Sequence, residues 1–110
     1  MDLKTKKVGK VFIIVLEGTL NVHISNSVEQ SISDIIDQGE KYLLIDLKKV
    51  DHLSSSGLRI FIGALRKLKS IDGVLKIANM NDRVKEIFKV VDLLDFFEVF
   101  NSVDEALPTF

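Results

Sequence analysis

Residues 42–58 read YLLIDLKKVDHLSSSGL. The stretch opens on Tyr42, Leu43, Leu44, Ile45, Asp46 and Leu47, an apolar run too short for a helix. It leads into Leu58, Phe61, Ile62, Leu65 and Leu68, which recur at helical spacing as the inner stripe of a helix. Between the two lie three consecutive hydroxyls, Ser54, Ser55 and Ser56, and then Gly57. A strand that hands over to a helix through small, capping residues is one half of a βα repeat. The fold class turns on whether that unit recurs on either side.

It recurs in both directions. Upstream, Val11 to Leu16 (VFIIVL) is a β-branched-rich run between Gly9 and Gly18, apolar on both faces as a central parallel strand is. From Asn26 onward Val28, Ile32, Ile35 and Ile36 keep helical spacing, with Ser25, Asn26 or Ser27 as N-cap and Gly39 as the stop. A helix between two strands makes them a parallel pair. Leu3 to Val8 is polar and alternating, and Gly9 with Lys10 turns it back antiparallel as a hairpin edge whose lysines discourage edge-to-edge association.

Downstream, Arg66, Lys67 and Lys69 close the second helix where cations suit the macrodipole, and Gly73 ends it. Val74 to Ala78 reads as a third core strand. Val84, Ile87, Phe88 and Val91 mark the inner face of a third helix capped by Asn81 or Asp82. Phe97 to Phe100 is a final short strand, and a last helical turn is opened by Asn101 or Ser102 and closed before Pro108. The pattern predicts a single α/β domain over residues 1–110. Its sheet is mostly parallel, of four to five strands with an antiparallel edge strand, and helices pack on it.

Composition narrows the function. With 110 residues, 46% of them hydrophobic, the chain can bury one core without a metal or a disulfide. The absence of cysteine excludes thiolate chemistry and suits a reducing compartment, so a cytoplasmic location is expected. The N-terminal MDLKTKKVGK lacks the features of a secretory signal. The longest apolar run, Val11 to Leu16, is far short of the roughly 20 residues a membrane span needs. Fifteen basic against sixteen acidic residues leave no overall field to gather nucleic acid, and Arg59, Arg66, Lys67 and Lys69 read as a solvated helix face.

No nucleotide-binding glycine motif occurs, so no cofactor is expected. His23, placed in the loop before the first helix, and His52 make a poor metal set. An enzyme would need Ser55 as nucleophile with His52 as base, but Leu-Ser-Ser-Ser-Gly is not the Gly-x-Ser-x-Gly of a nucleophile elbow, and no catalysis is expected. A response-regulator receiver would need an acidic pair after its first strand, which Glu17 and Gly18 do not supply. The three hydroxyls at a helix N-terminus offer free amides that accommodate an oxyanion. Ser54 as a plain helix cap, with Gly57 allowing close packing, accounts for the same residues.

The segment Leu53 to Leu58, LSSSGL, following a strand that ends in IDL, resembles the DSSGL or DSTGL signature of bacterial anti-sigma factor antagonists, a branch of the STAS domain family. Leu16 to Asn21, LEGTLN, is similar to that family's L-x-G-x-L-D, and Leu94 to Leu107, LDFFEVFNSVDEAL, resembles its closing pattern. The resemblance implies the STAS fold and a partner-switching protein. Unphosphorylated, such a protein binds an anti-sigma factor that is also a GHKL-type serine kinase, freeing a sigma factor; phosphorylation ends the interaction. A PP2C-type phosphatase is the other implied partner.

The family's acceptor aligns with Ser55, while Ser54 stands in the place of the signature aspartate and Asn21 in place of the aspartate after the first core strand. The resemblance further implies one exposed partner-binding patch made of Asn21, Ser54, Ser55, Ser56, Gly57, Leu58 and Arg59, with Ile60 as an apolar anchor if it too is exposed. The alternative is a phosphorylation-independent STAS module in a scaffold or a transporter-regulating assembly.

Overall fold

A computed structural model describes residues 3–110. The polar segment β1 (Leu3–Val8) pairs antiparallel with β2 (Val11–Leu20), as the alternation predicts. Gly9 makes the turn with φ of +59°, a left-handed value that glycine adopts without a Cβ penalty. The chain then runs α1 (Val22–Asp37), β3 (Tyr42–Leu53), α2 (Ser55–Lys69), β4 (Val74–Ala78), α3 (Asp82–Val90) and β5 (Glu98–Phe100). It finishes in a single turn, α4 (Val103–Ala106), and a 3-10 turn, Leu107–Thr109, that runs through Pro108. The sheet order is β1-β2-β3-β4-β5, with β2 to β5 parallel.

The parity of each strand divides the core in two. Ile14 and Leu16 of β2, Leu43, Ile45 and Leu47 of β3, and Leu75 and Ile77 of β4 face α1, α2 and α3 in the larger core. Its centre is aromatic: the Phe61 and Phe88 rings lie 5.6 Å apart, and Phe97 meets Phe88 edge-on at 5.7 Å. Val11, Ile13, Leu44 and Ala78 point the other way, where Ala106, Leu107 and Phe110 of the C-terminal turns cover them.

Three features differ from the sequence reading. Helix α1 begins four residues before Asn26, and its N-cap is Asn21, whose Oδ1 accepts from the amides of His23 (2.9 Å) and Ile24 (3.3 Å). His23 therefore sits on the first turn of α1, and Ser25, expected among the caps, is buried inside the helix. Strand β3 continues past the apolar run to Leu53, because irregularities in its pairing with β2 re-aim the chain. The inward residues accordingly pass from Leu47 to Val50 to Leu53 in steps of three. Val91 is 46% exposed, since α3 ends at Val90 and the chain turns away.

Candidate functional site

Strands β2 and β3 end in register, Leu20 opposite Leu53, and each is followed at once by a helix N-cap. Asn21 caps α1 and Ser54 caps α2, so two helix N-termini open side by side at the carboxyl edge of the sheet, where α/β proteins place their sites. The Ser54 N–H donates to the Leu20 carbonyl (2.9 Å), its Oγ accepts from the Gly57 N–H (3.3 Å), and its carbonyl accepts from the Leu58 N–H (3.1 Å). The hydroxyl of Ser54 is thus committed to the fold. A third cap joins the cluster: Asn81 accepts from Val84 N–H (2.7 Å) and donates Nδ2 to the Val50 carbonyl (3.1 Å), fixing α3 to β3.

Ser55 is the first residue of α2 and is exposed; Ser56 behind it is half-buried. Neither hydroxyl has a hydrogen-bond partner among the described residues. Gly57 and Leu58 are the first amides of α2 to find acceptors, which leaves those of Ser55 and Ser56 open, as at any helix start. No acidic residue occupies the first turn of α1 or α2, and Arg59, exposed, stands one turn along the helix from Ser55. Ser55 therefore sits at the positive end of the α2 dipole, with the start of α1 alongside, Arg59 one turn on and no carboxylate in either first turn.

Not all of the expected patch is exposed. Asn21, Ser55 and Arg59 are exposed and Ser54 and Ser56 half-buried, but Gly57 and Leu58 are buried and Ile60 is 1% exposed. The cause is close packing of α2 across the ends of the two strands. A Cβ on Gly57 would lie 3.1 Å from the Cβ atoms of both Leu20 and Leu53, so any larger residue would make the helix and the strand ends give by a few tenths of an ångström. Leu58 and Ile60 then point into the core, and Ile60 is excluded as an anchor.

His52, opposite Thr19 in the sheet, makes no hydrogen bond to the serines among the described residues; it lines a shallow apolar hollow with Ile87 and Val90 of α3 and with Val91 just beyond it. A Ser–His pair is not assembled. Among the described residues no group of three or more His, Cys, Asp and Glu side chains could hold a metal. The surface around Ser55 is open, which suits a macromolecular partner better than a small substrate.

The capping role of Asn21 was legible in principle. Asparagine leads the N-cap preferences, it directly follows the last apolar residue of a strand, and Ile24 precedes Val28 and Ile32 at intervals of four.

Comparison with known proteins covers nearly the whole chain. The STAS domain family profile matches residues 2–106. The chain is 29% identical over 110 residues to BtrV of Bordetella bronchiseptica, itself a proposed anti-sigma factor antagonist, covering all of this chain and 95% of that one. Among solved structures it superposes on tm1081 of Thermotoga maritima, also a proposed anti-sigma factor antagonist, with a TM-score of 0.93 at 18% identity, over 97% of this chain and 92% of that one. It also superposes on the Bacillus cell fate determinant SpoIIAA in its phosphorylated form, with a TM-score of 0.77 at 21% identity, over 98% of each chain. At these identities the structural likeness establishes the fold.

Proposed function

The chain belongs to the STAS domain family, and on that premise we propose that it is an anti-sigma factor antagonist whose partner binding is switched by phosphorylation of Ser55. The STAS domain is a regulatory module and not a catalyst. The observation that carries the proposal is Ser55, exposed and with no hydrogen-bond partner for its hydroxyl among the described residues, at the junction of two helix N-termini. In that position a phosphate adds about −1.5 to −2 charges that the protein tolerates. A partner that must desolvate them pays heavily, so the fold persists while the complex dissociates.

In this reading the partner is an anti-sigma factor with GHKL-type serine kinase activity. It contacts Asn21, Ser55 and Arg59 directly and Ser54 and Ser56 at their exposed edges. Gly57 and Leu58 act from beneath by holding the N-terminus of α2 in place. A PP2C-type phosphatase resets the switch. Among the described residues no helix is long and apolar enough to cross a membrane, and the proposed place of action is the cytoplasm, where sigma factors work.

The test is intact-mass analysis of the protein and its Ser55→Ala variant after incubation with the partner kinase and ATP. One phosphate-sized increment on the native chain and none on the variant is expected. An increment that persists in Ser55→Ala removes Ser55 as the acceptor.

A second reading, a phosphate-independent binding module, is favoured by one observation: Asn21 and Ser54 are neutral where the family signature carries aspartates. An unmodified mass alongside intact binding to the partner would establish it.

A further inference from the structure

Helix α2 carries a second feature at its far end. Ile62 and Leu65 belong to its apolar stripe by sequence, yet both are only half-buried. They form one wall of a hollow of about 290 Å³ whose other wall is Leu93 and Phe97. Phe96 stands at its rim, 65% exposed, an unusual position for an aromatic ring with no covering partner. Among the described residues the only charged groups lining the hollow are Arg66 and Lys69, and neither forms an ion pair there. Their place in the last turn of α2 suits the helix dipole, and both are exposed where they line the apolar recess.

We propose that this hollow is a binding site for a small anionic amphiphile, an alkyl carboxylate of medium chain length. The alkyl chain lies against Ile62, Leu65, Leu93 and Phe97, Phe96 folds over it, and the carboxylate meets Arg66 and Lys69. A mostly apolar concavity with a few convergent polar groups is the general form of a small-molecule site, and this volume lies near the lower end of the range of about 300–1,000 Å³ that such sites span. A guanidinium supplies the paired donors that match a carboxylate. Arg66 lies eleven positions along the helix from Ser55, roughly 16 Å, so the hollow is spatially separate from Ser55.

The test uses decanoate, below its micellar concentration, titrated calorimetrically into the full chain. Saturable one-to-one binding is expected. Decanol, which keeps the chain and lacks the charge, should bind roughly tenfold or more weakly, and Arg66→Gln with Lys69→Gln should weaken decanoate by a similar factor. Both residues are exposed and their glutamine variants keep helix propensity, and phosphorylation of Ser55 should be unchanged. Failure to saturate, equal binding of decanol, or undiminished binding by the double variant would each overturn the proposal. So would loss of anti-sigma factor affinity in the double variant without decanoate binding, which would assign the hollow to the protein interface.

Discussion

Ser54 caps α2 while the hydroxyl of Ser55 has no hydrogen-bond partner among the described residues, and the two roles separate by substitution. Ser54→Ala removes the acceptor of the Gly57 amide and should cost about 1 kcal/mol, read as a lowered denaturation midpoint. Ser54→Asp keeps a capping oxygen and adds a negative charge beside the N-terminus of α2. It should hold stability level or raise it by about 0.3–1 kcal/mol. Under the proposed function it also restores the family's acidic neighbour, so phosphorylation of Ser55 should be faster than in the native chain. A Ser54→Asp variant phosphorylated no faster would separate the aspartate's role from kinase recognition. The serine cluster was legible in the sequence because capping is a local property of a few consecutive residues. The exposure of each serine was not, because it depends on which side of α2 meets the strand ends.

Among the elements, β4 holds a buried charge. Lys76 interrupts the apolar run VLKIA and is 4% exposed. Its Nζ donates to the carbonyl and Oγ1 of Thr109, each at 2.8 Å, lies 3.6 Å from Glu98 and stacks over Phe110 at 4.9 Å. The lysine thereby ties the C-terminal turns to the sheet face they cover. Lys76→Met keeps the length of the side chain and removes these bonds; a loss of about 1.5–3 kcal/mol is expected, the worth of hydrogen bonds to a charged group. Hydrogen exchange should rise first at α4, ahead of the central strands. Unchanged exchange at α4 would show that apolar packing of Ala106 and Leu107 suffices. The early start of α1 was missed because Ser25 reads as a cap by residue type, whereas its burial and its bond back to the Asn21 carbonyl place it inside the helix.

At the scale of the molecule, both halves of the layout depend on the larger core. Phe88 is fully buried between Phe61 and Phe97, and joins α3 to α2 and to the segment that leads into β5. Phe88→Ala should cost about 3–5 kcal/mol, a large share of the roughly 5–15 kcal/mol that holds a domain folded. Urea denaturation should show a lowered midpoint with an unchanged slope. A lowered slope would mean that the native state has loosened and that the cost is not confined to the cavity.

By itself the sequence determined the kind and order of the main elements, the antiparallel edge at β1, and the strand-to-helix junction that carries the three serines. These follow from periodicity, capping and turn chemistry, which are written in residues close together along the chain. Only the tertiary structure decided that the helices capped by Asn21 and Ser54 start side by side, that Gly57, Leu58 and Ile60 lie beneath the surface, and that Ser55 and Arg59 stay on it. The physical reason is register: the pairing of Leu20 with Leu53 brings two distant segments together, and the contact of Gly57 with both of them sets the face that α2 turns to solvent.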